Sequence, residues 1–266
     1  GKMSAIFAPI SIFINKWTSM WQWGLPESKS GSKILLVHCH PCTESFSEAV
    51  ANSVQRGLRG AGHEVRSLSL YANTLSASSA KLLPPSNPPM TKALTNQERS
   101  KYYEIARPDV DGKHRYSGLD PEIANAVRLL RWCDALVFVY PTWWFNVPGA
   151  LKSFFDRAFL PHVAFSLPPE NNLQLDGGGE GPSTTSTGLV PLLTNIKKIG
   201  VVTTYGAPKP VALLAGDNGR QMISRAFRPL FNNECPMVWM GLYNIHGTTL
   251  QERQSFLSNV ENRFRR

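Results

Sequence analysis

The most constraining stretch of this chain is ALVFVYPTWWFNVPGALKSFFDRAF, residues 135–159. Ala135–Tyr140 is a short, nearly continuous apolar run, the pattern of a strand buried on both faces of a parallel sheet. Pro141 is expected to end it. A loop of large aromatics follows, Thr142-Trp143-Trp144-Phe145. Pro148 then sits where the first turn of a helix accepts a fixed φ and a missing N–H. Leu151, Phe154, Phe155, Ala158 and Phe159 recur at the spacing of one apolar helix face. In open α/β sheets ligands bind beyond the carboxyl ends of the strands, and the aromatic loop lies there.

The rest of the chain repeats the pattern. Lys33–Cys39 reads as a first buried strand. A helix begins near Ser45 with Phe46, Ala49, Val50, Val54 and Leu58 on one face, and His63–Leu70 alternates as a second strand. This is a βαβ unit with a right-handed crossover. Residues 71–119 are loop-like, with one short helix expected at Thr95–Ile105, and Pro121–Cys133 is a helix leading into the aromatic-tipped strand. The Gly- and Ser-rich stretch within 160–190 reads as a lid or wall. Ile199–Thr204, ending in Tyr205-Gly206, is a fourth strand and Met237–Tyr243 a fifth, with helices at Arg220–Phe231 and Thr249–Arg265. Alternation of five strands with helices predicts an α/β, doubly wound, five-stranded parallel sheet with helices on both faces, and of the orders open to such a sheet 2-1-3-4-5 is the one expected here.

The chain of 266 residues divides into an apolar, aromatic extension with its linker, residues 1–32, and one domain, residues 33–266. Ile6, Phe7, Ile10, Trp17, Trp21 and Trp23 mark the extension. Pro9, Asn15 and Lys16 interrupt it short of the ~20 apolar residues a membrane span needs. Residues 1–23 are therefore a candidate for packing on the domain or across a subunit interface, or else for peripheral membrane contact or targeting. The net charge of +9 is scattered rather than blocked, which suits anionic small molecules and argues against a nucleic-acid partner. Four cysteines and no segment of secretory-signal type lead to an expected cytoplasmic location.

With strand order 2-1-3-4-5, three loops converge at the switch point between strands 1 and 3: His40–Ser47, Thr142–Asn146 and Thr203–Ala207. The first offers hydroxyls and helix N–H groups for a phosphate, although no GxGxxG is present. The second offers backbone amides beside aromatics. The third, Thr-Thr-x-Gly, lets backbone approach a planar ring. That set suits a flavin, whose ring needs apolar walls, N–H donors and one open face. Cys39-His40-Pro41-Cys42 also has the CxxC spacing of a redox dithiol, but no second Cys or His pair completes a zinc site, and no metal is expected. Lys197-Lys198 reads as a solvated face, and Asp156-Arg157 as a helix-surface or interface ion pair.

His40-x4-Ser45-Phe46, Leu70-Tyr71-Ala72, the run Pro141–Pro148 with Leu151-Lys-x-x-Phe-Asp-Arg157, and Thr203-Thr204-x-Gly206 occur together and in order. In these residues the sequence resembles the NAD(P)H:quinone oxidoreductase family of flavodoxin-like proteins. The resemblance implies a bound flavin (FAD or FMN), NAD(P)H as co-substrate and a homodimer. It also implies ping-pong, two-electron hydride transfer through flavin N5 to a quinone or similar acceptor. It puts His40, Ser45, Phe46 and Ser47 on the flavin phosphate and ribityl chain, with Ser47 where Asn is common. Thr142, Trp143, Trp144, Phe145, Thr203, Thr204, Tyr205 and Gly206 fall on the ring-binding loops. Trp144 and Phe145 border the pocket shared by nicotinamide and quinone, and Val163, Ala164 and Phe165 match a substrate-side wall. The Tyr and His that DT-diaphorases carry after this turn have no counterpart in Val211–Asp217, so no proton donor is implied. The alternative is a flavin-binding ancillary subunit of a membrane protein, resembling those of potassium-efflux systems, which rests on the 1–23 segment.

Overall fold

The inner strands of the sheet owe their place to residues that are apolar on both faces, while the edge strand at 64–69 alternates. The computed structural model describes residues 31–71, 92–108, 116, 118–167, 188–231 and 235–265. The extension at 1–30, with its expected packing or membrane contact, and most of the Gly- and Ser-rich stretch lie outside these residues. β1 (Lys33–His38), β2 (Glu64–Ser69), β3 (Ala135–Thr142), β6 (Lys198–Tyr205) and β7 (Met237–Leu242) form one parallel sheet in the order β2-β1-β3-β6-β7. This is the expected 2-1-3-4-5 order, because β4 (Phe165–Ser166) and β5 (Val190–Pro191) are a separate two-residue antiparallel ladder.

Strand residues alternate between two cores. Leu35, Val37, Leu136, Phe138 and Tyr140 face one, shared with α3 (Pro121–Trp132) and α4 (Gly149–Ala158). Ile34, Leu36, Ala135, Val137 and Val139 face the other, under α1 (Phe46–Gly60) and α7 (Leu250–Arg265). On α4, Leu151, Phe154, Phe155 and Ala158 are buried, as their spacing predicts, and Phe159 follows them into the core. Phe155 stacks on Phe227 at 4.3 Å between ring centroids. Among the described residues no helix is long and apolar enough to cross a membrane.

Several local expectations are corrected. Pro141 does not end β3, which continues to Thr142 with Pro141 opposite Thr204. The Val139 carbonyl accepts from Cys39 N–H on the β1 side, and β1 has already ended where Pro141 turns to that side. The missing N–H therefore costs no ladder bond. The helix expected over Thr95–Ile105 is only α2 (Asn96–Ser100), held by a Thr95–Glu98 capping box. The helix expected over Arg220–Phe231 is three pieces: the end of α6 (Asn218–Gln221), a π-helical turn over Met222–Phe227 and a 3-10 turn over Arg228–Leu230. A further short helix, α5 (Lys209–Leu214), precedes α6.

Two charged positions read as surface are interior. Arg157 is buried and pairs with Glu98 at 2.7 Å, Asp120 at 2.6 Å and Glu122 at 3.7 Å, fastening α2 and the start of α3 to α4. Its neighbour Asp156 makes only an exposed i,i+4 pair with Lys152. Lys198 opens β6 in a buried position, where burial and then Arg263 push its ammonium down to about 8.

Candidate functional site

The carboxyl ends of β1, β3 and β6 bring the three loops together. After β1 the chain turns through His40, whose Nδ1 accepts from the Cys42 N–H at 3.0 Å. It enters α1 at Ser45, whose hydroxyl accepts from Glu48 N–H at 3.1 Å. This cap takes one of the unpaired amides of the first turn. Those of Phe46 and Ser47 have no partner within the helix and are available to an anion.

Beneath this turn lies a buried polar cluster. His38 Nε2 is 3.3 Å from the Ser47 hydroxyl, and its Nδ1 is 3.4 Å from a Glu48 carboxylate oxygen. Burial, then His40, lowers His38 to about 4, while burial raises Glu48 to about 7. His38 is thus neutral at physiological pH, and Glu48 titrates near it. Cys39 is buried, and burial pushes its thiol up to about 12, away from the thiolate that a CxxC redox centre needs.

After β3 comes the most unusual backbone in the site. Trp143 N–H donates to Asn146 C=O and Asn146 N–H returns to Trp143 C=O, both at 3.0 Å, closing a two-residue hairpin. Its central residues Trp144 and Phe145 both have positive φ, 51° and 57°. This is the pattern of a type I′ turn, normally made by Asn and Gly. For two bulky aromatics it is strained, and such strain persists only where the surroundings enforce it. The Trp144 side chain is 94 % exposed. His40 and Trp143 approach to 6.3 Å between ring centroids, joining the first loop to the second.

The third loop faces the aromatic turn. Thr142 lies opposite Tyr205 in the β3–β6 register, and the Thr142 and Thr203 hydroxyls share a hydrogen bond of 2.9 Å. Thr142, Trp144, Phe145, Tyr205, Gly206 and Ala207 enclose an open depression of about 190 Å3. The aromatic turn and the 205–207 turn both line it, and it is open to solvent.

Not every expected residue points at this depression. Phe46 is half-buried with its ring 6.4 Å from Phe256 of α7, so its contribution to the cleft is its amide. The Ser47 hydroxyl is engaged by His38. Thr203 and Thr204 are buried. Tyr205 turns inward: its ring stacks on Tyr243 at 4.3 Å and its hydroxyl donates to Asp217 at 2.8 Å. Val163 and Ala164 are fully buried in the core beside α4, so of the expected substrate-side wall only Phe165 offers surface. Glu48, Tyr243 and Asp217 are not among the residues the sequence points to, and His38, which with Cys39, His40 and Cys42 could have mimicked a metal cluster, instead joins the buried pair with Ser47 and Glu48. The available signal for His38 was a titratable residue inside an apolar run. Among the described residues no group of three or more His, Cys, Asp or Glu could hold a metal ion.

A family model described as the flavodoxin-like fold matches residues 32–263. The chain belongs to that flavodoxin-like family. Among curated proteins it is similar to human ribosyldihydronicotinamide dehydrogenase [quinone], 27 % identical over 139 residues, covering 52 % of this chain and 56 % of the relative. It is likewise similar to NAD(P)H dehydrogenase [quinone] 1 of Cavia porcellus, 27 % identical over 135 residues, covering 50 % and 45 %. The chain thus spans about half the length of the curated relatives it matches. Its fold is similar to that of an NAD(P)H:quinone oxidoreductase from Methanothermobacter marburgensis, with a TM-score of 0.60 and 18 % identity, covering 89 % and 96 % of the two chains. An FMN-dependent NADH-azoreductase from Bacillus anthracis, solved in complex with FMN, gives a TM-score of 0.59 at 14 % identity, covering 88 % and 97 %.

Proposed function

We propose that the chain is a flavin-dependent NAD(P)H oxidoreductase whose acceptor is a quinone or a similar planar compound. The observation that carries this reading is the aromatic turn at 144–145, held in a strained backbone opposite the 205–207 turn at the switch point of the sheet. The names of the curated relatives support the same reaction class. In this reading the amides of Phe46 and Ser47, with His40 and the capped Ser45 beside them, hold the ribityl phosphate. Thr142–Phe145 and Thr203–Gly206 flank the ring.

A flavin bound there, FMN or FAD, supplies hydride exchange between the nicotinamide and the acceptor. The chain's own part is orientation and exclusion of water. The exposed Trp144 offers an aromatic face against which nicotinamide and quinone would lie in turn, and Phe145 and Thr142 close the inner end. Backbone N–H groups of the two turns would stabilise negative charge developing on the ring. One pocket used in turn by donor and acceptor requires ping-pong kinetics. The family resemblance adds a homodimer to the proposal, which light scattering on the purified protein would test.

The experiment is direct. The protein as purified, or after incubation with FMN or FAD, is heat-released and its flavin identified by chromatography. Initial rates are then measured with NADH or NADPH against a benzoquinone. Bound flavin with parallel double-reciprocal lines is expected. A protein that takes up no flavin, or that oxidises no NAD(P)H when loaded, overturns the reading.

A further inference from the structure

We propose that the buried hydrogen bond from Tyr205 to Asp217 is a strut that holds the Trp144-Phe145 turn in place, making both residues positioning residues for the flavin ring. The inference rests on the flavin reading above.

The strut can be followed atom by atom. Tyr205 belongs to one wall of the depression and Phe145 to the other. Between them runs the segment Asp217–Gly219. Asp217 is buried, starts α6 and sits in the left-handed region at φ 43°. It accepts the Tyr205 hydroxyl on one carboxylate oxygen. Two residues on, Gly219 N–H donates to the Phe145 carbonyl at 3.4 Å. Gly219 also packs closely on the residues that follow the turn. A Cβ there would lie 3.3 Å from Val147 N and 3.4 Å from Asn146 C, so a larger residue would crowd the turn. The segment therefore contacts the strained turn at one end and the β6 turn at the other.

The far end of the strut is anchored as well. The Tyr205 ring lies nearly parallel to Tyr243, at 14°. Gly241 on β7 makes the room: a Cβ there would be 3.0 Å from both rings. The loop after β7 is tied to the same wall by Asn244 N–H donating to Ala207 C=O at 3.0 Å. A turn whose own residues disfavour its conformation needs such external bonds, and this set reaches it from a rigid strand edge. The Tyr205 side chain thus acts on the ligand through Phe145, while only the Tyr205 backbone belongs to the wall.

The test separates a strut from a general loss of structure. Flavin-free full chain is titrated with FMN, read by quenching of flavin fluorescence, and its urea midpoint is recorded in parallel. Tyr205→Phe keeps the stack and removes the donor, and the Kd for FMN is expected to rise tenfold or more. Asp217→Asn still presents a carbonyl to the phenol and keeps most of the affinity, whereas Asp217→Ala loses it as Tyr205→Phe does. The decisive background is the double variant Trp144→Asn, Phe145→Gly, whose turn adopts positive φ unaided. In it, Tyr205→Phe is expected to change the Kd less than twofold. An equal loss in both backgrounds, or no loss from Tyr205→Phe in the native one, overturns the strut while leaving the flavin reading intact. An unsubstituted chain that binds no FMN overturns the flavin reading and this inference with it.

Discussion

Replacing Trp144 by Asn should make the flavin-free protein more stable while making it a worse enzyme. A residue with a Cβ in the left-handed region costs roughly 1–2 kcal/mol, and Asn is among the few that visit it routinely. Trp144 has φ 51° and is 94 % exposed, so almost nothing is lost from the core when it goes. With only about 6 % of a side chain of roughly 200 Å2 buried, the forfeited burial is about 0.3 kcal/mol. The net gain is about 1 kcal/mol, or a rise of about 2–4 °C in Tm for a domain of this size. Urea denaturation of the flavin-free chain reads it as a higher midpoint at unchanged slope. The same substitution removes the exposed aromatic face, so quinone reduction should fall severalfold with the flavin still bound. A Trp144→Asn chain that is no more stable than the parent would refute the claim that the turn is strained. Undiminished turnover would refute its role as a wall.

Two further perturbations test the interior. Glu48, raised to about 7 from an ordinary value near 4.5, binds more protons folded than unfolded between those values, so its contribution to stability falls as pH rises through that window. The full penalty, on the order of 3 kcal/mol, applies above pH 7 and vanishes below about 4.5. Glu48→Gln should therefore gain stability over the parent on going from pH 5 to pH 8. His38, lowered to about 4, contributes with the opposite sign below pH 6.5, so the informative quantity is the difference between variant and parent, and a difference flat in pH would count against the burial argument. Arg157→Met leaves three carboxylates without their common partner and should cost about 3–5 kcal/mol, against less than about 1 for removing the exposed Lys152–Asp156 pair. Similar urea midpoints for the two variants would sink that contrast.

The sheet was legible because its inner strands are apolar on both faces, a pattern that leaves few alternatives for a run such as Ala135–Tyr140. The alternation of elements announced a doubly wound sheet but not its strand order, since sheets of different order share that alternation; the order 2-1-3-4-5 was an added expectation that the pairing bears out. Pro141 misled because a sequence shows a missing N–H but not which neighbour it would have faced, and here β1 has already ended on that side. Arg157 and Lys198 misled for a related reason. A charge is placed on the surface by default, and its burial depends on partners such as Glu98 and Asp120, which lie 59 and 37 residues away. At the site, the positions of the three loops were readable, since each follows a strand. The directions of individual side chains were not. Tyr205 turns inward because Gly241 on β7 and Tyr243 just beyond its end make a slot for its ring. Ser47 turns to His38, a residue that its apolar neighbours had hidden.

One measurement reaches the central claim. Flavin-loaded protein is mixed anaerobically with NAD(P)H while the visible flavin band is followed, and a quinone is then added. The account predicts that the band bleaches with one equivalent of nicotinamide and returns with one equivalent of quinone. A protein that takes up no flavin, or a band that NAD(P)H leaves unchanged, would contradict it.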